Sequence, residues 1–115
     1  MLNNSNSINP SISETEDNLY YTNIIDTIFG KRVKEVKYNL NDENKEKINY
    51  AINTCTNIQK KIFELKIKNN LSDKEISEIL GKSLEEIEIL FTKTLIHLRN
   101  PKISKPLFDI YNPEK

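Results

Sequence analysis

Between Thr56 and Glu86 the chain repeats one signal, a Ser or Thr followed three residues later by Glu or Gln. The pairs are Thr56/Gln59, Ser72/Glu75 and Ser83/Glu86. In such a capping box the hydroxyl accepts from an amide of the first helical turn, and the longer side chain reaches back to the capping residue's own amide. Each box therefore marks a helix start. Starts packed this closely leave room only for short helices and tight turns. They predict an all-α fold, a small helical domain ending in a helix-turn-helix.

The apolar spacing between the boxes agrees. Asn41 or Asp42 can cap a helix over about 43–55, where Ile48, Ala51, Ile52 and Cys55 share one face. Thr56 opens a second helix, with Ile58, Ile62 and Leu65 inward, Phe63 beside them, and Asn69 and Asn70 at its end. Ser72 opens a third, over 73–80, with Leu71 and Ile76 placed as a hydrophobic staple. Gly81 stands where a left-handed C-cap belongs. Ser83 opens a fourth, over 84–98, with Ile87, Leu90, Phe91, Leu95 and Leu98 inward. Asn100-Pro101 then stops it. At the crossing of the third and fourth helices a small residue is needed, and Ser77 is small.

The flanks are less regular. Residues 1–18 are rich in Asn and Ser and lack any period, so they are expected to be a disordered tail. Residues 19–40 form a short helix over 19–29, ended by Gly30, and a mostly basic linker. In that linker Val33, Val36 and Tyr38 leave a strand conceivable. The helical domain proper spans 41–101, and 102–115 is a C-terminal tail.

Composition narrows the function classes. The 115 residues carry a formal net charge of +0, so any nucleic-acid binding must come from local patches. Cys55 is the only cysteine and His97 the only histidine, too few for a zinc site or a disulfide framework. With no apolar run of the roughly 18 residues that span a bilayer, and no basic-then-apolar leader, a cytoplasmic protein is expected. No nucleophile–base grouping, paired carboxylates or glycine-rich phosphate loop appears, so neither an enzyme nor a cofactor is expected.

Residues 48–101 resemble region 4 of bacterial sigma-70-type RNA polymerase sigma factors. AINTCTNIQKKIFELKI is similar to that family's helix, short break and basic helix with an F-x-L core. LSDKEISEILGKS looks like its supporting helix and turn. TKTLIHLRNP resembles the closing run, K-x-L-x-x-L-R-x-P, and KISKPLFDIY resembles the tail that follows it. The resemblance implies docking on the β flap of RNA polymerase through the first two helices, here Ile48, Ile52, Ile58, Ile62, Phe63 and Ile67. It also implies contact of the last helix with promoter −35 DNA. The matching positions are Ser72, Lys82, Ser83, Leu84, Glu85, Glu88 and Ile89, with Lys93 and Arg99 in the closing run.

The outward chemistry departs from the family. Primary sigma factors carry arginines where this chain has Leu84, Glu86 and Glu88, and a glutamine where it has Ile89. Of the polar reading set only Glu85 is unchanged. Glu85 and Glu86 have a structural use, because acids in a first turn interact well with the helix dipole, for about 0.3–1 kcal/mol each. Glu88 lies a turn further on and has less structural cause. Acids here repel phosphate, although a glutamate can accept from cytosine N4, and Leu84 and Ile89 can touch thymine methyls.

The expected function is a sigma region 4-like transcription protein that docks on polymerase, with DNA contact secondary. The chain is too short to include region 2, so a second protein supplying it is an expected partner. Membranes and small-molecule substrates are not expected partners. The alternatives are an independent helix-turn-helix DNA-binding regulator, dimeric through residues 19–29, and an interaction module or decoy that has lost DNA reading. Lys60, Lys61, Lys66 and Lys68 form either a basic stripe along the second helix or an ordinary solvated face. His97 is expected to be an ordinary surface residue and Cys55 core filler.

Overall fold

The computed structural model describes residues 9–113, with side chains from residue 16 onward. Six α-helices follow one another, and no strand occurs among the described residues. They are α1 (Asn9–Phe29), α2 (Asp42–Asn53), α3 (Asn57–Phe63), α4 (Asp73–Leu80), α5 (Leu84–Arg99) and α6 (Pro101–Tyr111). α3 runs on into a π-helical turn, Glu64–Lys68.

All three capping boxes form as the spacing requires. The hydroxyls of Thr56, Ser72 and Ser83 accept from Gln59 N, Glu75 N and Glu86 N, and each longer side chain returns the bond. Asn41, not Asp42, caps α2 by accepting from Asn44 N. Gly81 is left-handed at φ +67°, so its amide and that of Lys82 both reach the Ser77 carbonyl. The Ser77 hydroxyl closes the same turn by donating to the Lys82 carbonyl. A side chain with a Cβ would be strained at that φ.

Two expected boundaries are corrected. The short helix expected over 19–29 starts at Asn9, so residues 9–18 are helical and not part of a disordered tail. Pro10 does not prevent this, because a first-turn amide has no intrahelical partner to lose. The expected tail over 1–8 lies outside the described residues. At the other end, most of the expected tail over 102–115 is α6. Asn100 is extended, as a residue before proline must be, and its side chain accepts from Lys102 N. Pro101 is at the helix start, where its fixed φ is already helical. The expected linker over 31–40 is irregular, without a strand.

Two apolar clusters hold these helices. The first joins Ile24, Ile25 and Ile28 of α1, Ile48 and Ala51 of α2, Phe63, Leu98, and Leu107 and Ile110 of α6. The second joins Ile62, Leu65, Ile76 and Ile87, with Leu71, Leu80 and Leu90 against it. Phe91 touches both clusters, and its ring stacks on Phe63 at 6.1 Å between centroids. Thr94 is fully buried among the inward residues of α5 because its hydroxyl donates to the Leu90 carbonyl at 2.7 Å.

α1 is fixed to the rest of the chain by its far end. Helix C-termini leave carbonyls unpaired. Here the Arg99 guanidinium donates to the Ile28 and Thr27 carbonyls, both at 2.9 Å, and Tyr111 donates to the Gly30 carbonyl. Phe29 stacks on Tyr111 at 5.0 Å, and Arg32 lies 4.0 Å over the same ring. Ile24, Ile25 and Ile28 are thus part of the monomer core, while Leu19 remains exposed.

Candidate interaction faces of the paired helices

α4 and α5 pack against each other across the Gly81 turn, with Ile76, Leu80, Ile87 and Leu90 between them. That packing presents the first turns of α5 outward. Leu84, Glu85, Glu88 and Ile89 are all exposed, Leu84 and Ile89 each at 47%. Lys82 is half-buried beside them, and Ser72 and Ser83 are exposed at the two caps. Their hydroxyls already accept from first-turn amides.

The electrostatics of this face are acidic. From Leu71 to Thr92 six carboxylates stand against two lysines. Glu86 is explained by the cap: the Ser83 backbone amide donates to it at 3.0 Å and holds its pKa below the usual carboxylate value. Asp73 pairs with Lys66 at 2.8 Å. Glu78, Glu85 and Glu88 make no ion pair among the described residues. Phosphate oxygens would meet carboxylates here, where a promoter-reading helix needs cations.

The closing-run positions separate. Lys93 is exposed on α5. Arg99 is fifteen residues from Leu84, about 22 Å along the helix. Its guanidinium caps α1 by donating to the Ile28 and Thr27 carbonyls.

The expected partner surface is also corrected. Ile48, Ile62 and Phe63 are at most 1% exposed, and Ile52, Ile58 and Ile67 are half-buried. Ile48, Ile52, Phe63 and Ile67 pack in or against the first cluster, where α1 and α6 cover them, while Ile62 and Ile58 belong to the second. What remains open on that side is a groove of about 470 Å³ between α2 and α6. It is lined by Glu43, Glu46, Lys47, Tyr50, Lys102, Ile103 and Pro106, with Tyr50 at 74% exposure. Its signal in the sequence is a tyrosine opposite the Ile48–Ile52 face; the α6 half of the groove follows Pro101, which signals a helix stop.

Other singled-out residues have ordinary settings. Lys66 pairs with Asp73, Lys60 reaches Asn53 and Lys68 lies over Tyr20, so the basic stripe is divided among separate contacts. His97 bonds Thr54 at 2.7 Å and ties α5 to the end of α2. Cys55 is buried, and burial pushes its thiol pKa up. Two apolar side chains were not anticipated: Ile79 is 58% exposed on α4, and Ile96 is 65% exposed on α5. Ile89 and Ile96 are one heptad apart, a second stripe legible in the sequence beside the core one. Among the described residues no His, Cys, Asp and Glu group could hold a metal, and no helix is long and apolar enough to cross a membrane. Comparison with protein-family profiles, curated proteins and solved structures finds no match to this chain.

Proposed function

We propose that this chain is a sigma region 4-like transcription protein that acts in the cytoplasm by docking on RNA polymerase, with promoter DNA contact secondary. On this reading α4, the Gly81 turn and α5 are a helix-turn-helix kept for its shape. The observation that carries it is the outward first turns of α5. The core beneath Ile87 is intact, yet Leu84, Glu85, Glu88 and Ile89 offer a duplex no cation. The docking side is the α2–α6 groove around Tyr50, whose apolar lining suits a helix tip of the polymerase β flap. A protein of this kind works beside a partner that supplies region 2, or competes with a full sigma factor for the flap.

Pull-down of core polymerase with the intact chain tests the reading, and Tyr50→Ala should weaken capture about tenfold. No capture by a chain that is helical by circular dichroism contradicts it. A second reading, a stand-alone regulator, rests on the exposure of Leu84 and Ile89, which would suit thymine methyls. Titration with −35-type duplexes over a salt series separates the two. Steep salt dependence supports the regulator, and a flat response rejects direct DNA binding.

A further inference from the structure

We propose that the groove between α2 and α6 takes a partner helix whose apolar ridge carries a cation on one flank and a carboxylate on the other. This rests on the reading of the groove as the docking side and adds the chemistry of what docks there. The floor of the groove is apolar, formed by Tyr50, Ile103 and Pro106. Its charges stand on the helices to either side. On α2, Glu43, Glu46, Lys47 and Tyr50 follow at i, i+3, i+4 and i+7 and share one face. Lys47 lies 3.7 Å from Glu43 and offsets it, which leaves Glu46 to set the sign of that wall. On α6 the wall charge is Lys102. Glu46 and Lys102 are both exposed, and neither has an ion-pair partner among the described residues. One groove thus has an acidic wall and a basic wall over an apolar floor.

Shape and charge together select the occupant. A small molecule is held by enclosure, whereas Tyr50 is 74% exposed. An open trough between two helices suits the apolar ridge of a third. A nucleic-acid strand brings only phosphates, which Glu43 and Glu46 repel. A helix basic on both flanks meets Lys102, and a helix acidic on both flanks meets Glu46. A helix with one flank of each sign satisfies both walls. Turning such a helix end for end exchanges its flanks, so the opposed walls also set its direction in the groove.

Fluorescence anisotropy of the intact chain with three synthetic helical peptides tests the proposal, at peptide concentrations that keep them monomeric. Each peptide is about two heptads long, with leucine at the inward positions. One carries lysine on one flank and glutamate on the other, one carries lysine on both, and one carries glutamate on both. The mixed peptide should bind about threefold or more tighter than either uniform peptide at low salt, and the difference should shrink as salt rises. Tyr50→Ala should weaken all three, because they share the floor. Glu46→Lys makes both walls basic and should transfer the preference to the glutamate peptide. Lys102→Glu makes both walls acidic and should transfer it to the lysine peptide. Both residues are exposed, so circular dichroism should remain unchanged. Equal affinity for the three peptides, binding of none, or variants that keep the original preference each overturns the proposal. The peptides contain no polymerase sequence, so the two readings fail separately. Preference for the mixed peptide without capture of polymerase supports the groove chemistry and contradicts the polymerase reading, and capture without that preference does the reverse.

Discussion

The two apolar clusters of this chain are built in opposite ways. The second cluster, around Ile62, Ile76 and Ile87, joins neighbours in sequence, and a capping box opens each of its three helices. The first joins the two ends of the chain: Ile24 and Ile25 of α1 meet Leu107 and Ile110 of α6 across more than eighty residues. Local hydrogen bonds specify the one, and long-range burial specifies the other. Positions that carry the family resemblance lie in both, but the surface chemistry on which function depends is set by what the first cluster covers.

If α1 and α6 were loose appendages, mutations in the first cluster would cost little. The structure predicts the reverse. Phe63→Ala, at the junction of the clusters, should destabilise by about 3–5 kcal/mol. Ile24→Ala and Leu107→Ala should each cost about 2–5 kcal/mol, as much as Ile76→Ala in the second cluster. Urea denaturation compares the four directly, and losses below about 0.5 kcal/mol for Ile24→Ala or Leu107→Ala would reduce the molecule to a three-helix unit with tails.

Arg99→Ala removes two charged hydrogen bonds to the end of α1 and should cost about 1–3 kcal/mol. The loss should appear as earlier melting of α1, read by amide exchange at Ile24 and Ile25 against Ile76 and Ile87. Uniform loss across both clusters would mean that α1 is not held as a separate layer.

On the local side, Ser72→Ala and Ser83→Ala should each cost about 1 kcal/mol, and Gly81→Ala a similar amount. These changes should leave α1 and α6 exchange unaffected until global unfolding.

The smallest effect is a pH dependence confined to the first cluster. Burial, and then the Asp26 carboxylate that accepts from its hydroxyl at 2.6 Å, push the Tyr38 pKa up to about 12. An unfolded tyrosine titrates near 10. A raised folded pKa means that its contribution is complete below about pH 10 and is lost as the pH rises toward 12. Tyr38→Phe should flatten that part of the alkaline stability profile, and an unchanged profile would place Tyr38 in solvent.

The same contrast explains what could be read without coordinates. The boxes at Thr56, Ser72 and Ser83 and the left-handed Gly81 were legible because their chemistry lies within four residues. α6 was hidden by Pro101 and Pro106, which signal a break, although Leu107 and Ile110 supply the burial that keeps it helical. The first half of α1 was hidden by its Asn and Ser content. Thr94 was passed over as polar, yet a bond to its own helix satisfies it in the core. Ile48 and Ile62 were legible as inward residues from their spacing; only the resemblance made them, with Phe63, a partner surface, and the structure buries all three. The outward acids of α5 were legible, and the structure leaves them exposed.

The most direct test of the central claim is calorimetric titration of the intact chain into the isolated β flap of RNA polymerase. The account predicts saturable one-to-one binding that Tyr50→Ala weakens and that Glu88→Arg does not. No heat of binding from a chain whose amide exchange shows α1 and α6 in place would contradict it.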